Sequence, residues 1–420
     1  MKFFQSAIWA AVLILGFHFS VWGQVAEEME APPYIKTIQF IGNSDFGLLP
    51  VIRLGDPLVI SFDDIIGDEA DYYYTITHHN FDWTPSLLVK SEYLRGFDNL
   101  RIRDYQNSSN TLQPYSHYEL RIPNAQTEAL LQTGNYLLSI TNSEGELVFS
   151  RKFMIYQPQA SVGLRIRRSR DLNFINSKQA VQFRIDPGEQ ILINPKKNVK
   201  TIILKNNNLK NSIIGLEPQF VLGNVLEYRY DQEASFWGGN EFFNFENKDI
   251  RAATNMIDYI ELESLYHNYL YTNPNRDFQP YTYNPDINGA FVINTLIGDA
   301  PELTADYVWI HFSVFSTGLE DGKEVHLYGN FNNYELGEQT RMRYNPQQGI
   351  YEKALLLKQG FYNYRYAVTD SQQRLLKNDI DGDFWQTENE YTVLVYYRNP
   401  GSRIDELIGV GKGNSTTIRN

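Results

Sequence analysis

The chain has 420 residues and a formal charge of −13, and it contains no cysteine. An acidic chain in which no basic patch is recognised argues against a nucleic-acid-binding protein and against one held on an anionic membrane surface. Without cysteine, disulfides and thiolate metal sites are excluded, so stability must come from buried apolar area.

The N-terminus has the pattern of a secretory signal. Lys2 is followed by an apolar run over residues 7–19, a small residue at Gly23 and a polar, acidic stretch from Gln24. This order is typical of a cleaved signal peptide. The alternative, a membrane span, needs ~20 apolar residues, which is more than this run supplies. We therefore expect residues 1–23 to be a signal peptide and the mature protein to be exported, without a membrane span or a cysteine-linked lipid.

The chain is long enough for about three domains of ~100–150 residues each. The first predicted domain covers residues 32–157. In the segment 72–77 the side chains alternate between two faces, as they do in a strand. Residues 134–149 contain two apolar runs joined by Asn-Ser-Glu-Gly, which predicts a closing hairpin. The segment 127–132 is expected to form one helical turn.

A second β-rich block is predicted over residues 159–301. Its clearest strands are predicted at 179–185 and 201–204. The segment 256–265 fits a helix and a strand equally, because no period dominates. Proline and asparagine crowd residues 273–288, which predicts a long loop there.

The third block is predicted over residues 304–399. Its segments 308–314 and 391–397 alternate in the manner of sandwich strands. Residues 401–420 are rich in glycine and polar residues and predict a flexible tail. Short strands with frequent turn signals indicate an all-β protein of tandem immunoglobulin-like β-sandwich domains.

One group of acidic residues has metal-like spacing. Acids stand at relative positions 1, 3, 5 and 12 of a segment near the C-terminus, as in a calcium loop. Such a loop needs glycine at position 6, where Phe384 stands, and no helical pattern flanks it. A polar hairpin turn is the alternative. The candidate ligands are Asp379, Asp381, Asp383 and Glu390.

Two histidines also call for consideration as ligands. His78 and His79 are adjacent in a predicted strand, so their side chains point to opposite faces and cannot share one metal ion. Hydrogen bonding within the strand or turn is the expected role for both.

No motif for catalysis stands out. The chain has no Gly-x-Ser-x-Gly elbow and no phosphate-binding loop. A glycosidase needs two carboxylates across a cleft, and no pair is distinguished by its context. We therefore predict a non-enzyme without a cofactor.

Aromatic residues are the remaining functional signal, and they are concentrated in the first block. Most are expected to be core residues. The rest are candidates for an exposed contact patch, because Tyr and Trp are enriched at protein interfaces. The candidate partner-contact residues are Trp83, Tyr93, Phe97, Tyr105, Tyr115 and Tyr118.

Two segments of the third block, 324–334 (EVHLYGNFNNY) and 360–368 (GFYNYRYAV), carry a second pattern. They resemble the small immunoglobulin-like domains appended to glycogen-acting enzymes. The resemblance places Tyr334 where those domains carry a sugar-stacking aromatic residue. It leaves two alternatives open for the chain: a periplasmic or surface carbohydrate-binding protein, and a glycoside-active enzyme with an immunoglobulin-like accessory domain.

A series of short motifs runs through all three blocks. They are ISFDD (60–64), YYYTI (72–76), HNFDW (79–83), EYLRGF (92–97), NSSNT (107–111), WGGNEFF (237–243), DING (286–289), ENEY (388–391) and VYYR (395–398). In this order and spacing, nearly the whole mature chain resembles the type IX secretion system plug proteins of the Bacteroidota.

The resemblance implies a protein that works by binding. Plug proteins associate with the giant SprA-type outer-membrane translocon barrel and close its periplasmic mouth when no export is under way. It therefore implies a periplasmic location, peripheral to the outer membrane, and a protein partner rather than a substrate or a nucleic acid.

Overall fold

Strands dominate the computed structural model, which describes residues 25–42, 50–320 and 322–418. The predicted signal peptide, residues 1–23, lies outside the described residues. Within them, none of the helices has the length or the apolar character to cross a bilayer. The strands form sheets that pair face to face into sandwiches, which confirms the predicted all-β class.

The first domain consists of two sheets and a short ribbon. Its strands are β1 (Ile35–Gly42), β2 (Val51–Arg53), β3 (Leu58–Asp64), β4 (Tyr73–His79), β5 (Leu94–Gly96), β6 (Leu100–Arg101), β7 (Asp104–Asn107), β8 (Ser116–Ile122), β9 (Thr127–Leu130), β10 (Gly134–Thr141) and β11 (Leu147–Tyr156), and the one-turn helix α1 (Lys90–Tyr93) precedes β5. The sheets have the orders β1-β3-β8-β7 and β2-β11-β10-β4-β6, and β5 pairs with β9.

The predicted hairpin over residues 134–149 is confirmed as β10 and β11, which pair in antiparallel register. The predicted helical turn at 127–132 was wrong, because β9 forms there instead. Leu94 and Arg95 of β5 pair with Leu130 and Ala129 of β9, and this pairing across the chain overrides the local preference.

The middle domain begins after residue 158. Its strands are β12 (Ser161–Arg168), β13 (Lys178–Asp186), β14 (Val199–Lys205), β15 (Asn208–Ile214), β16 (Phe220–Leu222), β17 (Val225–Tyr228) and β18 (Ser235–Trp237), with the one-turn helix α2 (Pro195–Asn198). One sheet has the order β12-β13-β17-β16, and β18 also pairs with β13.

The third domain follows the motif at residues 237–243. Its strands are β19 (Phe243–Glu246), β20 (Ile257–Leu262), β21 (Tyr266–Leu270), β22 (Phe291–Ile293), β23 (Tyr307–Phe315), β24 (Glu324–Tyr328), β25 (Arg343–Asn345), β26 (Ile350–Lys358) and β27 (Gly360–Thr369), with the one-turn helix α3 (Pro301–Thr304). Its sheets have the orders β19-β27-β22, with β24 also on β27, and β20-β21-β23-β26-β25. The ambiguous segment 256–265 is mostly strand β20, and the predicted loop at 273–288 contains no helix or strand.

The last two strands, β28 (Glu390–Tyr397) and β29 (Glu406–Asn414), return to the middle domain. Their sheet has the order β15-β14-β28-β29. The predicted boundaries at 159–301 and 304–399 were therefore wrong in two respects. Residues 243–301 belong to the third domain, and residues 390–418 complete the middle domain. The pairing of β14 with β28 joins segments about 190 residues apart. The alternation of side chains within a short segment does not indicate which distant strand it pairs with.

The predicted flexible tail, 401–420, was also wrong over its described part. Leu407 and Ile408 of β29 are buried. A Cβ atom added to Gly411 would lie 2.5 Å from the backbone oxygen of Val162, and one on Gly409 would lie 2.8 Å from that of Ala160. The glycines of the tail thus allow β29 to approach the backbone of β12 closely.

Candidate partner-binding surface

Four of the six predicted contact residues are buried: Trp83, Tyr93, Tyr115 and Tyr118. Tyr118 stacks on Phe62 with ring centroids 5.1 Å apart, and its hydroxyl donates to the carbonyl of Ala70. The Tyr93 hydroxyl donates to the carbonyl of Ile76. The prediction that these four residues contact a partner was wrong. Their large side chains fill the interior of the protein instead.

Two of the four lie between domains rather than inside one. The Tyr115 hydroxyl donates to the backbone carbonyl of Ala305 (2.9 Å) in the third domain. Trp83 packs in an apolar cluster with Met154 and with Leu394 and Tyr396 of β28 in the middle domain. These aromatic residues are interface residues, but the interfaces are within the chain.

Of the remaining two, Phe97 is the more exposed. Tyr105 is partly exposed, stacks on Tyr118 with centroids 5.4 Å apart, and donates to Glu69. Phe97 is 75% exposed. It remains a predicted contact residue because burying such a ring against a partner is favourable.

The first domain exposes further apolar side chains besides Phe97. Leu87 and Val89, just before α1, are also exposed. An ion pair of 2.6 Å between Lys90 and Asp98 brings the sequence neighbours of Val89 and Phe97 together. We call Leu87, Val89 and Phe97 the Phe97 surface.

A second exposed apolar group lies at one end of the middle domain. It includes β16, which is the edge strand of its sheet and exposes all three of its side chains. The Asn224 side chain donates to the carbonyls of Gly188 and Gln190, which holds the turn after β16 against the neighbouring loop. We call this group the middle-domain tip; its residues are Ile191, Ile193, Phe220, Val221 and Leu222.

The candidate calcium ligands do not converge. Asp379 pairs with Lys323 (2.7 Å), and the Nε of Arg276 donates to Asp381 (2.7 Å). Asp383 accepts backbone N–H groups, and Glu390 pairs with Lys412 (3.1 Å). The four candidate ligands therefore do not form the loop that calcium needs, because each carboxylate contacts a different donor. Throughout the described ranges, no three His, Cys, Asp or Glu side chains are grouped for metal binding.

The two histidines are buried and hydrogen-bonded. A ring nitrogen of His78 lies 3.1 Å from the carbonyl of Thr133, and one of His79 lies 3.1 Å from that of Trp83. Both contacts help to fix the end of β4.

Tyr334 is buried, so its predicted role in sugar stacking was wrong. Its hydroxyl donates to the carbonyl of Asn206 in the middle domain (3.0 Å), and its ring packs on Tyr328. The side chain that the resemblance assigned to a ligand joins two domains instead.

Three rings of the third domain stack in a row. Tyr259 stacks on Tyr269 with centroids 4.1 Å apart, and Tyr269 stacks on His311 at 3.9 Å. Tyr269 is stacked between the other two rings, and Tyr259 at the end of the row is 51% exposed.

Two of the family-like motifs, at residues 237–243 and 388–391, meet where the middle and third domains join. The ammonium group of Lys205 is buried and donates to the carbonyls of Trp237 (2.7 Å) and Gly238 (2.6 Å). The side chain of Asn389 also donates to Gly238. A Cβ atom at Gly238 would lie 2.0 Å from the carbonyl oxygen of Phe384, so only glycine fits there.

The same joint contains a carboxyl group with a perturbed pKa. Burial raises the pKa of Glu241 to about 7, although hydrogen bonds from the Tyr281 hydroxyl and the Glu388 backbone oppose the shift. Tyr281 belongs to the long loop, and Arg276 in that loop donates to the Glu241 carbonyl. The carboxyl group is thus enclosed by its own chain and fastens the loop over the joint.

A charged network joins the first and third domains. The Asp63 carboxylate lies 2.6 Å from the ammonium group of Lys358 and 2.6 Å from a ring nitrogen of His117, and it accepts from the Tyr307 hydroxyl. Burial alone would raise the pKa of Asp63, but Lys358 and His117 outweigh it and hold that pKa below its usual value. The network fixes the two domains relative to each other.

Comparison with known proteins identifies the first domain. The family model for the first domain of type 9 secretion system plug proteins matches residues 35–157, which are the strands β1 to β11. A search of curated proteins found no match.

Among solved structures, a hypothetical protein from Parabacteroides merdae is similar over nearly the whole chain. The two share 31% identity over 92% of this chain and 98% of the other, with a TM-score of 0.87. A biofilm-associated protein (BSP domain) covers 94% of this chain and 61% of its own at 8% identity, with a TM-score of 0.17. Trypsin-activated alpha-2-macroglobulin from Escherichia coli covers 93% and 25% at 10% identity, with a TM-score of 0.19. TM-scores of 0.17 and 0.19 do not indicate a shared fold.

The matched family model accounts for the first sandwich, and the Parabacteroides merdae structure has the same architecture over all three. On these two findings, the chain belongs to the family of type 9 secretion system plug proteins.

Proposed function

We propose that this protein closes the periplasmic mouth of the type IX secretion translocon, a SprA-type outer-membrane barrel, while no cargo is exported. The observation that carries the proposal is the match of residues 35–157 to the plug family's first domain. In this proposal the protein acts by binding and obstruction, without catalysis or a cofactor.

The joints between the domains support a role that depends on shape. The first and third domains share the buried pair of Asp63 and Lys358. The first and middle domains share the cluster around Trp83 and a hydrogen bond from the Tyr396 hydroxyl to the side chain of Asn135 (2.7 Å). A plug has to cover a pore as one body, and buried polar contacts at its joints oppose rotation of one sandwich against another.

Two exposed apolar groups supply candidate anchors. The Phe97 surface lies in the family's first domain, and the middle-domain tip includes the edge strand β16. Interfaces of standard size bury ~1,600 Å² in total and depend on a few buried apolar or aromatic anchors. A plug has to leave the barrel during export, so an interface with few anchors suits it better than an obligate one.

The location follows from the same proposal. The signal peptide predicted at residues 1–23 would export the chain to the periplasm, where binding to the barrel would hold it peripheral to the outer membrane.

Affinity capture tests the proposal. Tagged protein at its native level should recover a very large barrel protein from detergent-solubilised outer membranes. In cells that lack the plug, the outer membrane should also admit a large hydrophilic dye that intact cells exclude. Recovery of no such barrel, with or without cargo, would refute the proposal.

A further inference from the structure

The middle domain has the opposite charge to the rest of the chain. Residues 159–237 contain twelve Lys and Arg against seven Asp and Glu, a formal charge of +5 within a chain of −13. The expectation that the chain has no basic patch was therefore wrong. Composition averaged over the whole sequence conceals a local excess.

Three arginines of this domain lie together. Arg165 and Arg167 are two residues apart in β12, so their side chains leave the same face of the sheet, while Ile166 between them is buried in the core. Burial first, and then the charges of Arg165 and Arg170, lower the pKa of Arg167. We call Arg165, Arg167 and Arg170 the arginine face.

Among the residues that the structure describes, these three side chains have no acidic partner. Within the described residues, none of them has a carboxylate within 4.0 Å, and the Nε of Arg167 is covered without a hydrogen bond. In the neighbouring loop, the carboxylate of Asp231 accepts the backbone N–H of Arg170 and not its side chain. Elsewhere on this sheet, basic side chains do have partners: Arg184 pairs with Asp186, and Arg229 with Glu227.

Three unpaired guanidinium groups at one place repel one another. Such an arrangement is unfavourable in the free protein and becomes favourable when an anion binds. A guanidinium group binds a carboxylate through two parallel hydrogen bonds. This fixed geometry selects carboxylates more specifically than the ammonium group of a lysine does.

We infer that the arginine face binds an acidic, extended segment of the protein partner. Side chains at alternate positions of an extended segment are roughly 7 Å apart, which is also the spacing of Arg165 and Arg167 along β12. A short acidic segment is small enough to contact the arginine face without contacting the acidic parts of the molecule. A bilayer or a nucleic acid would also meet the acidic remainder of the molecule, which would repel it. The identity of the partner, the translocon, rests on the proposed function. The acidic character of the bound segment is inferred from the three arginines alone.

The first experiment uses the purified mature protein and synthetic decapeptides. One fluorescent peptide carries Glu at alternate positions, and its matched control carries Gln there. The triple variant Arg165→Gln, Arg167→Gln, Arg170→Gln is compared with Lys196→Gln, Lys197→Gln, Lys200→Gln, which removes the same charge from the same domain. Thermal unfolding confirms that both variants are folded.

We expect the arginine variant to bind the Glu peptide at least tenfold more weakly than the wild type. The lysine variant should stay within twofold of the wild type. Binding should weaken as salt rises from 50 to 300 mM, because the contacts are ionic. Equal losses in the two variants, or no loss in the arginine variant, would overturn the inference. So would arginine-dependent binding to phosphatidylglycerol vesicles or to a single-stranded oligonucleotide that exceeds binding to the peptide.

The second experiment separates this inference from the proposed function. If wild-type protein captures the barrel and the arginine variant captures markedly less, both stand. If the two capture it equally, the arginine face is not part of the interface and the plug function stands. If the wild type captures no barrel, the plug function itself fails.

Discussion

The carboxylate of Asp63 in the first domain lies 2.6 Å from the ammonium group of Lys358 in the third domain, and both side chains are almost completely buried. They come from β3 and β26, which belong to different sandwiches. Two opposite charges removed from water must stay paired, so this contact opposes separation of the domains.

Breaking that pair from one side should destabilise the protein strongly. In Asp63→Asn the Lys358 charge would remain buried without its counterion, at a cost of ~3–5 kcal/mol. Chemical denaturation with a probe in each domain measures the loss. The double variant Asp63→Asn, Lys358→Met should recover much of it, because no unpaired charge is then left. A single variant within 1 kcal/mol of the wild type would show that the pair does not lock the joint.

Truncation to alanine should distinguish the buried aromatic residues from the exposed one by the loss of stability. Trp83→Ala and Tyr93→Ala should each cost ~3–5 kcal/mol, because they leave cavities in packed clusters. Phe97→Ala should change stability by less than ~0.5 kcal/mol, because its ring is exposed. Thermal unfolding of the three variants distinguishes the two groups, and equal melting temperatures would contradict the assignment.

The C-terminal strand should tolerate no added methyl group where it crosses β12. Gly411→Ala places a carbon 2.5 Å from the Val162 carbonyl oxygen, which forces backbone movement and should cost ~1–3 kcal/mol. Gly163→Ala is the matched control, because its added carbon would meet only the Arg184 side chain at 3.7 Å. Similar stabilities for the two variants would mean that β29 does not pack as described.

The stability of the joint between the middle and third domains should depend on the ionisation of Glu241. Its pKa of about 7 in the folded protein exceeds the ordinary value of 4.5, so the folded state holds a proton that the unfolded state releases between these values. Its contribution is therefore complete below about pH 4.5 and is lost as the pH rises through about 7.

Glu241→Gln has no such proton to lose. The free energy of unfolding of the wild type, relative to this variant, should fall by about 1–2 kcal/mol between pH 5 and pH 8, after allowance for partial solvent screening. Urea unfolding of both proteins at several pH values measures the difference. A constant difference across the range would refute the assignment.

The Phe97 surface should contribute to capture of the translocon if the proposed function is right. Val89→Ser with Phe97→Ser removes two exposed apolar side chains and should weaken capture at least tenfold, the effect expected of interface anchors. Phe278→Ser is the control, because that ring is 90% exposed on the third domain. Equal recovery with both variants would place the interface elsewhere, with the middle-domain tip as the next surface to test.

Some properties of this protein could be predicted because they are local. Alternation with a period of two appears in any short window, so the β class, the hairpin at 134–149 and the strands at 179–185 and 201–204 were visible in the sequence. The order of short motifs was enough to indicate the plug family. The first domain is continuous in sequence, so its strands could be grouped without knowledge of long-range pairing.

The tertiary structure alone decided which strands share a sheet and where each side chain points. A strand alternates in the same way whichever strand pairs with it, so nothing local showed that β28 joins β14 rather than a neighbour in the third domain. For the same reason Phe97 and Tyr93, both aromatic and four residues apart, could not be separated into surface and core. Burial and charge neutralisation depend on contacts between segments far apart in the chain. Only the fold therefore revealed the buried pair of Asp63 and Lys358 and the unpaired arginines of β12.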